Sequence, residues 1–450
     1  MKTWMFELRL VLHSRLAWGA VALLLALSAL SVWSGLHAVA AQHDALARVA
    51  ASDRAQLHAW AGKHAHGADA GQVAYDVPHL TTNPPSRLAF AAIGQRDLQP
   101  FALRVRLLGL HSQLYESEAI NPELAMPGRF DFSFLLVYLA PLFVIALMHD
   151  LVTGEREAGR LRLLSSLPGH AASLWRRRVV LRYALLWLAL LAPLAVGVAV
   201  AGAGAAALGQ LALVATLYLA FWFGVAAWVA GRAGSSATSA AVLLACLVGL
   251  AMIVPTVVDA AIARTIPVSK GVELALAQRQ EVHQGWDVPK PVTFAKFFRT
   301  HPQWKNTAPV TGRFHWKWYY AMHQAGDEAV AAQVAQYRAS LQAREDWTAR
   351  AGLLLAPVNV QVLLHRLADT DLQAQLAYQE RIAGFHTRLR HFFYPYFFNE
   401  QAFGKADFAR MPTYTATVAQ GSLPAGPLAA LALLALAALV AGMHRLQKLG

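Results

Sequence analysis

Residues 183–230 decide the architecture of this chain, because the run YALLWLALLAPLAVGVAVAGAGAAALGQLALVATLYLAFWFGVAAWVA contains no Asp, Glu, Lys or Arg. A helix needs about 20 mostly apolar residues to cross the hydrocarbon core of a bilayer. Small residues around Gly202 and Gly204 divide the run into two such stretches, about 183–203 and 206–230. The sequence therefore predicts two membrane-spanning helices joined by a tight turn, which we number spans three and four.

Four further stretches meet the same length requirement, and the composition agrees with a membrane protein. Of the 450 residues, 56% are hydrophobic and 14% are charged, whereas a soluble domain carries about 25% charged residues. Gly197, Ala201 and Gly224 predict close packing of spans three and four. We expect a mainly α, polytopic membrane protein with six transmembrane helices and two extracytoplasmic, largely helical insertions. The other four predicted spans are about 16–39, 132–148, 236–258 and 426–443.

The first predicted span has an alternative interpretation as a cleaved signal peptide. Lys2, Arg9 and Arg15 form a basic start, and residues 38–40 (Ala-Val-Ala) resemble a cleavage site. The apolar stretch, however, is longer than the roughly 7–15 residues of a signal-peptide core. Residues 4–12 mix apolar and charged side chains as an interfacial helix does. We therefore expect span one to be retained and to follow an interfacial N-terminal helix.

Basic residues in the short loops predict the orientation of the helices. If the helices alternate in direction, these loops and both termini lie on one side, which the positive-inside rule makes cytoplasmic. The expected location is the bacterial inner membrane. The net charge of +13 does not indicate a nucleic-acid partner, because the basic residues lie beside apolar segments and are expected to face anionic lipid. The residues expected to anchor span three at the membrane surface are Arg176, Arg177, Arg178 and Arg182.

This topology divides the chain into five parts, with two long regions outside the membrane and a loop at 149–182 on the cytoplasmic side. The parts are the interfacial helix with span one at 1–41, the first extracytoplasmic region at 42–131, spans two to five at 132–258, the second extracytoplasmic region at 259–425, and span six with a cytoplasmic tail at 426–450.

The second extracytoplasmic region combines helical patterns with clustered aromatic side chains. Residues 326–355 carry apolar residues near helical spacing, and residues 358–393 contain few helix breakers. The aromatic runs at 314–320 (FHWKWYY) and 392–398 (FFYPYFF) suit a buried core. The alternative is that they rest on the outer leaflet, where Trp and Tyr are enriched.

Histidines are frequent outside the predicted spans, and one group of them is a candidate metal site. His64 and His66 are two residues apart, with His58 nearby, a spacing that a transition metal can use. Surface or core histidine is the alternative at these positions. The lone Cys246 lies in an apolar run, which excludes an intrachain disulfide and a zinc site built from several thiolates.

The most informative short segment follows span two at residues 153–169, TGEREAGRLRLLSSLPG. Acidic residues favour the start of a helix, and the Pro-Gly pair at 168–169 favours its end. We therefore predict a short helix at the membrane surface, on which Leu161, Leu164 and Leu167 share one face. The alternative is a plain basic loop that satisfies the positive-inside rule and binds nothing.

This segment resembles the coupling region of ABC-2-type transporter permeases, in which a Glu-x-x-x-Gly pattern opens a leucine-rich helix that ends at proline. Glu155 and Gly159 match the pattern, Glu157 reinforces the acidic start, and Arg160 stands where many members carry threonine. In that family the helix seats in a groove of a separate ATPase subunit. The residues to which the resemblance assigns ATPase coupling are Glu155, Glu157, Gly159, Leu161, Leu164 and Leu167.

A subgroup of these bacterial permeases has large extracytoplasmic insertions after spans one and five. The chain is similar to this subgroup at residues 83–100, from NPPS to GQRDLQP, and again at residues 368–395, from ADTDL to FFYP. The resemblance implies the fold and the class of partner, but it does not name a substrate.

The chain carries no ATPase motif of its own. It contains no Gly-x-x-x-x-Gly-Lys-Ser/Thr loop, so we expect no cofactor in this chain, with ATP and Mg²⁺ bound by the partner subunit. Neither a Gly-x-Ser-x-Gly elbow nor a His-Glu-x-x-His helix is present, so we do not expect an enzyme. No ionisable residue lies near the middle of a predicted span, which argues against proton-coupled transport.

Three functions remain open on this basis. The first is a permease that forms a homodimer or pairs with a related permease, binds an ABC ATPase subunit and moves a substrate across the membrane, with export as the expected direction. The second is a mechanotransmitter whose extracytoplasmic regions act on a partner protein. The third is a membrane sensor, scaffold or enzyme that works without an ATPase.

Overall fold

The structure is a computed structural model that describes residues 2–63, 68–115, 129–165, 171–418 and 421–449. The chain is mainly α, and the described residues contain six helices long and apolar enough to cross a membrane, which confirms the number predicted. An N-terminal helix, Lys2–His13, precedes them. The six spans are Arg15–Lys63, Phe132–Glu157, Ser173–Val200, Ala205–Ala230, Ser236–Thr265 and Ala425–Gln447.

Span one is part of a single helix of 49 residues, Arg15–Lys63. At 1.5 Å per residue this helix is about 70 Å long, whereas the hydrocarbon core of a bilayer is about 30 Å thick. Its apolar part ends near residue 39, but no proline follows to stop the helix. Leu57 and Trp60, near its end, pack against a hydrophobic core outside the bundle. The domain boundary predicted after residue 41 therefore lies within a continuous helix.

Spans two and four form the centre of the bundle. Of the most apolar window in each, 67% and 56% of the residues are buried, against 17% in spans five and six. Spans five and six therefore present apolar faces to lipid or to a partner. Tyr218 of span four donates a hydrogen bond to the carbonyl of Val137 (2.8 Å), within a π-helical turn at Leu135–Leu139 of span two.

Spans four and six pack backbone against backbone. A Cβ atom placed on Gly224 would lie 2.3 Å from the carbonyl carbon of Ala438, and one placed on Gly442 would lie 2.5 Å from the carbonyl oxygen of Gly224. Such distances are far shorter than a van der Waals contact, so only glycine fits at both positions. The close packing predicted at Gly224 is confirmed, and its partner is span six.

The two insertions fold together into one unit, which we call the insertion domain (described residues 68–115 and 268–414). Its antiparallel ribbon joins β1 (His79–Thr82) to β2 (Ala102–Val105). The helices of the domain are Ala70–Asp76, Leu110–Leu114, Gly271–Gln284, Lys290–Thr300, Trp316–Ala329, Ala331–Gly352, Ala356–Ala368, Leu372–Phe398 and Lys405–Arg410, with short 3₁₀ turns at Ala89–Ala91, Gly94–Asp97 and Pro302–Trp304.

Two hydrophobic cores hold the molecule together. The core of the insertion domain draws Val105 and Leu110 from the first insertion and Tyr320 and Phe393 from the second. The core of the bundle extends into the insertions, because the helix Ala356–Ala368 packs on the spans. The insertion domain is therefore attached to the bundle both by this helix and by the extension of span one.

The two segments that resemble the subgroup with large insertions, 83–100 and 368–395, lie against each other. Gln95 donates its backbone N–H to the carbonyl of Thr370 (2.8 Å). Gly94 has a φ of +53°, and a Cβ there would lie 2.6 Å from the carbonyl oxygen of Thr370. Both the left-handed backbone and the close approach favour glycine. This contact joins the first insertion to the second.

The predicted helix at 358–393 is two helices. Ala356–Ala368 ends at Asp369, whose φ of +55° is left-handed, and Leu372–Phe398 begins after it. Asp371 caps the second helix, because its side chain accepts a hydrogen bond from the backbone N–H of Ala374 (3.0 Å). Aspartate tolerates the left-handed region and is a preferred N-cap, so the Asp-Thr-Asp sequence stops one helix and starts the next.

The aromatic runs of the second insertion form a core, as predicted. Tyr320, Phe393 and Phe397 are buried, and the rings of Tyr320 and Phe397 stack with centroids 4.5 Å apart. Phe314 is an exception, with 44% of its surface exposed. Most of these rings therefore stabilise the insertion domain and are not available to a membrane surface.

The insertion domain is expected to lose stability on mild acidification. Burial lowers the pKa of His79 to about 4, of His323 to about 4 and of His386 to about 3. In the unfolded chain these histidines bind protons as the pH falls below their ordinary pKa of 6.5, whereas in the folded domain they stay neutral until about pH 4. The folded domain therefore has its full stability above pH 6.5 and loses stability as the pH falls toward 4. We expect the thermal midpoint of the full-length protein in detergent to fall between pH 7 and pH 5.

A matched pair of variants isolates the histidine contribution. Burial raises the pKa of Asp369, which acts in the opposite direction and does not change in the variants. His386→Gln is expected to reduce the difference between the midpoints at pH 7 and pH 5, whereas His391→Gln, at an exposed position, is expected to preserve it. Equal pH dependence in all three proteins would contradict the prediction.

Candidate functional site

The segment 153–165, which begins at the end of span two, contains two short helices, Thr153–Glu157 and Leu161–Ser165, where one was predicted. They separate at Gly159, which has a φ of +73°. Around it, Arg160 N–H donates to Glu155 C=O (2.9 Å) and Gly159 N–H donates to Arg156 C=O (3.0 Å). This pair of hydrogen bonds is the Schellman helix ending, which favours glycine at its left-handed position. The glycine of the Glu-x-x-x-Gly pattern thus ends a helix.

Glu155 joins this segment to span three and to the N-terminal helix. Its carboxylate pairs with Arg160 (2.6 Å) and with Arg178 of span three (2.8 Å). Arg178 also pairs with Glu7 (3.1 Å), and the side chains of Glu7, Glu155 and Arg178 are only 9–13% exposed. Ion pairs that are shielded from water in this way are worth more than surface pairs. We call Glu7, Glu155 and Arg178 the ionic junction.

Glu157 joins the same segment to span five. Its carboxylate accepts hydrogen bonds from the backbone N–H (2.7 Å) and the hydroxyl (3.0 Å) of Ser236, the first residue of that helix. Arg156 donates to the carbonyl of Ala233 (2.6 Å). A carboxylate at a helix N-terminus satisfies unpaired N–H groups and favours the helix dipole. Displacement of the segment would therefore move span three and span five together.

A cavity of about 200 Å³ opens beside the ionic junction. Three carboxylates and two guanidinium groups line it, and the remaining lining is mostly apolar. Among the described lining residues, the opposite charges largely compensate one another. The charged residues of the lining are Glu7, Asp150, Glu155, Arg178 and Arg182.

The four arginines predicted to anchor span three differ in their surroundings. Arg176 is exposed, as an anchor would be, and Arg177 is half-buried and donates to Ser173 (3.3 Å). Arg178 belongs to the ionic junction, and Arg182 lines the adjacent cavity. Sequence reasoning missed these last two roles, because their acidic partners lie on other helices.

The leucines of the segment are also distinguished by the structure. Leu161 packs against the bundle core, and Leu164 is half-buried. Leu163, which was not among the predicted residues, is 68% exposed. Leu167 and the Pro-Gly pair at 168–169 lie outside the described residues. Leu163 is therefore an exposed apolar side chain of this segment.

The structure adds no support for a metal site. His58 is exposed on the long helix of span one, while His64 and His66 lie outside the described residues. In the part of the chain that the structure describes, no three His, Cys, Asp or Glu side chains are grouped so that they could hold a metal ion.

Fold and site together define a multi-pass helical protein with apolar helices suited to a membrane, in which two insertions build one additional domain. A family model described as "Domain of unknown function (DUF3526)" matches residues 272–417. No curated protein and no solved structure matches the chain. The match covers most of the second insertion, and the description of the family names no activity. It omits the first insertion, which completes the same core.

Substitution of Gly159 tests the helix ending with little interference from packing. A Cβ atom there would meet no atom within 4 Å, so the penalty of Gly159→Ala comes from the left-handed backbone alone. We expect a loss of about 1 kcal/mol in the free energy of unfolding and a smaller loss for Gly159→Asn, measured by thermal unfolding in detergent. Gly209→Ala is the control, because Gly209 lies inside a helix with the same free space. Gly209→Ala should be neutral or stabilising. If Gly159→Ala and Gly209→Ala change the free energy of unfolding in the same direction, Gly159 does not act as the helix ending.

Proposed function

We propose that this chain is the membrane subunit of an ATP-driven ABC-2-type transporter of the bacterial inner membrane, with export as the direction of transport. A separate ATPase subunit binds the segment at 153–165, and the transporter contains two membrane subunits. The observation that supports this best is that the segment at 153–165 has an exposed apolar side and an opposite side bound to the bundle. Leu163 is exposed on one side, and Glu155 and Glu157 hold the other side to the bundle.

The contacts of the segment suggest how nucleotide binding reaches the spans. Movement of the ATPase subunits displaces the segment, which pulls on span three through Arg178 and on span five through Ser236. The N-terminal helix follows through Glu7. The bundle then shifts between two packed states, since packed helices move as units and do not deform continuously. In this scheme Glu155 and Glu157 transmit the movement, and Leu163 binds the partner.

The test is recovery of an ATPase with the tagged full-length chain, purified from its own host in mild detergent. The native protein should recover a subunit that mass spectrometry identifies by a Gly-x-x-x-x-Gly-Lys-Ser/Thr loop, together with ATPase activity. Leu163→Glu should lower this recovery at least tenfold, because it places a charge in an apolar contact. Leu354→Glu is the matched control, since Leu354 is 79% exposed in the insertion domain.

Two outcomes would overturn the proposal. One is that the native protein, inserted and monodisperse, recovers no such subunit. The other is that Leu163→Glu recovers as much as Leu354→Glu, which would show that the segment does not bind the ATPase.

A mechanotransmitter is the second candidate, and the long helix of span one favours it. This helix runs unbroken from the bundle to the core of the insertion domain, so it can carry movement between them. A cysteine scan of span five in a Cys246→Ala background distinguishes the two functions. Reaction of mid-span positions with a membrane-impermeant maleimide during ATP turnover indicates a water-lined pathway and a transporter. Complete protection, with ATP turnover retained, indicates a mechanotransmitter.

A further inference from the structure

A groove of about 450 Å³ lies in the insertion domain, between the loop that follows β2 and the helix Gly271–Gln284. Its volume is in the range of small-molecule sites, about 300–1,000 Å³. The groove is lined from both insertions, by residues 106–113 on one side and by residues 278–286 and His323 on the other. The fold of both insertions together is therefore needed to build it.

Among the described residues, the charged side chains that line this groove are cationic. Arg106 and Arg279 line it, with His283 beside them, and none of the described lining residues carries a carboxylate. Arg106 is exposed, and its guanidinium has no ion-pair or hydrogen-bond partner among the described residues. Trp286 adds an aromatic surface that is 48% exposed. A guanidinium group suits a phosphate or carboxylate, and an indole ring suits an apolar or ring-bearing body.

Two buried hydrogen-bond donors on the groove wall have no acceptor among the described residues. Gly109 N–H donates to Nδ1 of His323 (3.0 Å), so the neutral ring carries its proton on Nε2. This Nε2 atom and the side-chain nitrogen of Gln278 are both buried without a partner. His323 is 9% exposed and Gln278 is 1% exposed. Since buried donors are nearly always satisfied, the pair indicates an acceptor that arrives from outside the chain.

The neighbouring carboxylate accepts hydrogen bonds from other donors. Asp327 already accepts from the backbone N–H of Leu110 (2.9 Å) and pairs with Arg390 (2.6 Å). Burial lowers the pKa of His323 to about 4, so the ring is neutral at pH 7 and keeps the tautomer described above.

Because residue 109 is glycine, the loop that contains it can lie close against the side-chain amide of Gln278. A Cβ atom on Gly109 would lie 1.8 Å from the side-chain nitrogen of Gln278. A larger residue would displace that amide from the groove wall. The position of this donor therefore depends on a glycine in the facing insertion.

We propose that this groove binds an organic oxyanion, a phosphate or carboxylate attached to an apolar or ring-bearing body. Arg106 attracts the oxyanion, Gln278 and His323 donate hydrogen bonds to it, and Trp286 contacts the body. The site lies within the insertion domain and does not rest on the proposed ATPase partner. It assigns to this domain a ligand-binding role in addition to any mechanical one.

Isothermal titration of the full-length protein in neutral detergent tests the inference, with 1-naphthyl phosphate as the probe and 1-naphthol as its uncharged counterpart. We expect saturable binding of the phosphate and at least tenfold weaker binding of the alcohol. Arg106→Ala should weaken phosphate binding at least fivefold. Arg299→Ala is the matched control, because Arg299 is an exposed arginine of the same domain outside the groove.

Gln278→Leu separates a binding role from a structural one. Because the side-chain nitrogen of Gln278 has no partner in the part of the chain that the structure describes, replacing the amide with an apolar group of similar shape should not lower the thermal midpoint. It should weaken binding of naphthyl phosphate about tenfold. A lower midpoint with unchanged affinity would mean that Gln278 is structural, and would overturn its place in the site.

A second probe identifies the source of the oxyanion. Dihexanoyl phosphatidylglycerol presents the same phosphate on a lipid, and binding that depends on Arg106 would identify a lipid headgroup as the natural ligand. Binding of naphthyl phosphate alone would identify a soluble solute. Equal affinity for naphthol, failure of both phosphates to bind, or full affinity in Arg106→Ala would each overturn the proposal.

Discussion

Replacing Asp327 with alanine is expected to lower the free energy of unfolding of the insertion domain by about 3–5 kcal/mol, because it leaves Arg390 buried without its counter-charge. The two side chains are 7% and 11% exposed and lie 2.6 Å apart. Burial raises the pKa of Asp327, but the positive charge of Arg390, the neighbouring histidines and the hydrogen bond from Leu110 N–H together outweigh burial, so the pKa lies below its ordinary value. Asp327 also accepts the backbone N–H of Leu110, so its loss loosens the contact between the two insertions.

Denaturation of the full-length protein in detergent measures this effect, with a probe in the insertion domain. Asp346→Ala is the control, since Asp346 is exposed and has no ion-pair or hydrogen-bond partner among the described residues. The double variant Asp327→Asn, Arg390→Met should recover part of the loss, because no uncompensated charge remains. If Asp327→Ala and Asp346→Ala unfold alike, the ion pair does not hold the insertions together.

Gly224→Leu is expected to have an effect of similar size in the bundle. A Cβ at this position meets the backbone of Ala438 at 2.3 Å, and backbone cannot rotate away as a side chain can. Overpacking of a well-packed core costs about 1–3 kcal/mol and occasionally more, and a backbone clash places this variant at or above the upper end. We expect little monodisperse protein after extraction, with a lower thermal midpoint for whatever is recovered.

Gly209→Leu is the control for this substitution. Gly209 lies on the same helix, and a Cβ there meets no atom within 4 Å. It should extract and unfold like the native protein. Gly442→Leu should behave like Gly224→Leu, because its Cβ would lie 2.5 Å from the carbonyl oxygen of Gly224. Normal recovery of both Gly224→Leu and Gly442→Leu would mean that spans four and six do not approach each other as described.

The spans were predictable from sequence because the constraint on them is local. A stretch such as 183–203 must satisfy its own backbone hydrogen bonds and bury its own apolar length, so composition over about 20 residues decides the outcome. The helix start at Asp371 and the glycine at position 159 also depend on local backbone chemistry. The turn at Asp369 was nevertheless missed, because a single Asp-Thr-Asp sequence resembles a polar stretch of helix surface.

The contacts that build the two sites were not predictable, because their partners are far apart in the chain. Arg178 meets Glu7 across 171 residues, and Arg390 meets Asp327 across 63. Sequence placed Arg178 at the membrane surface on the basis of its neighbours alone. No sequence pattern marks Gln278 and His323 as donors of one site. They become part of the same groove wall only when the loop at Gly109 packs over them.

The interleaving of the insertions also has a consequence for the order in which the protein is made. Leu110 and the Asp327 carboxylate that its N–H contacts are separated by 217 residues. At about 5–20 residues per second, ribosomes need roughly 10–40 s to supply the second half of this contact. During that interval the apolar side chains of the first insertion lack their partners, and four more spans, two to five, must be inserted into the bilayer. A chain arrested between spans four and five would therefore expose a half-built core, a ready substrate for quality-control proteases.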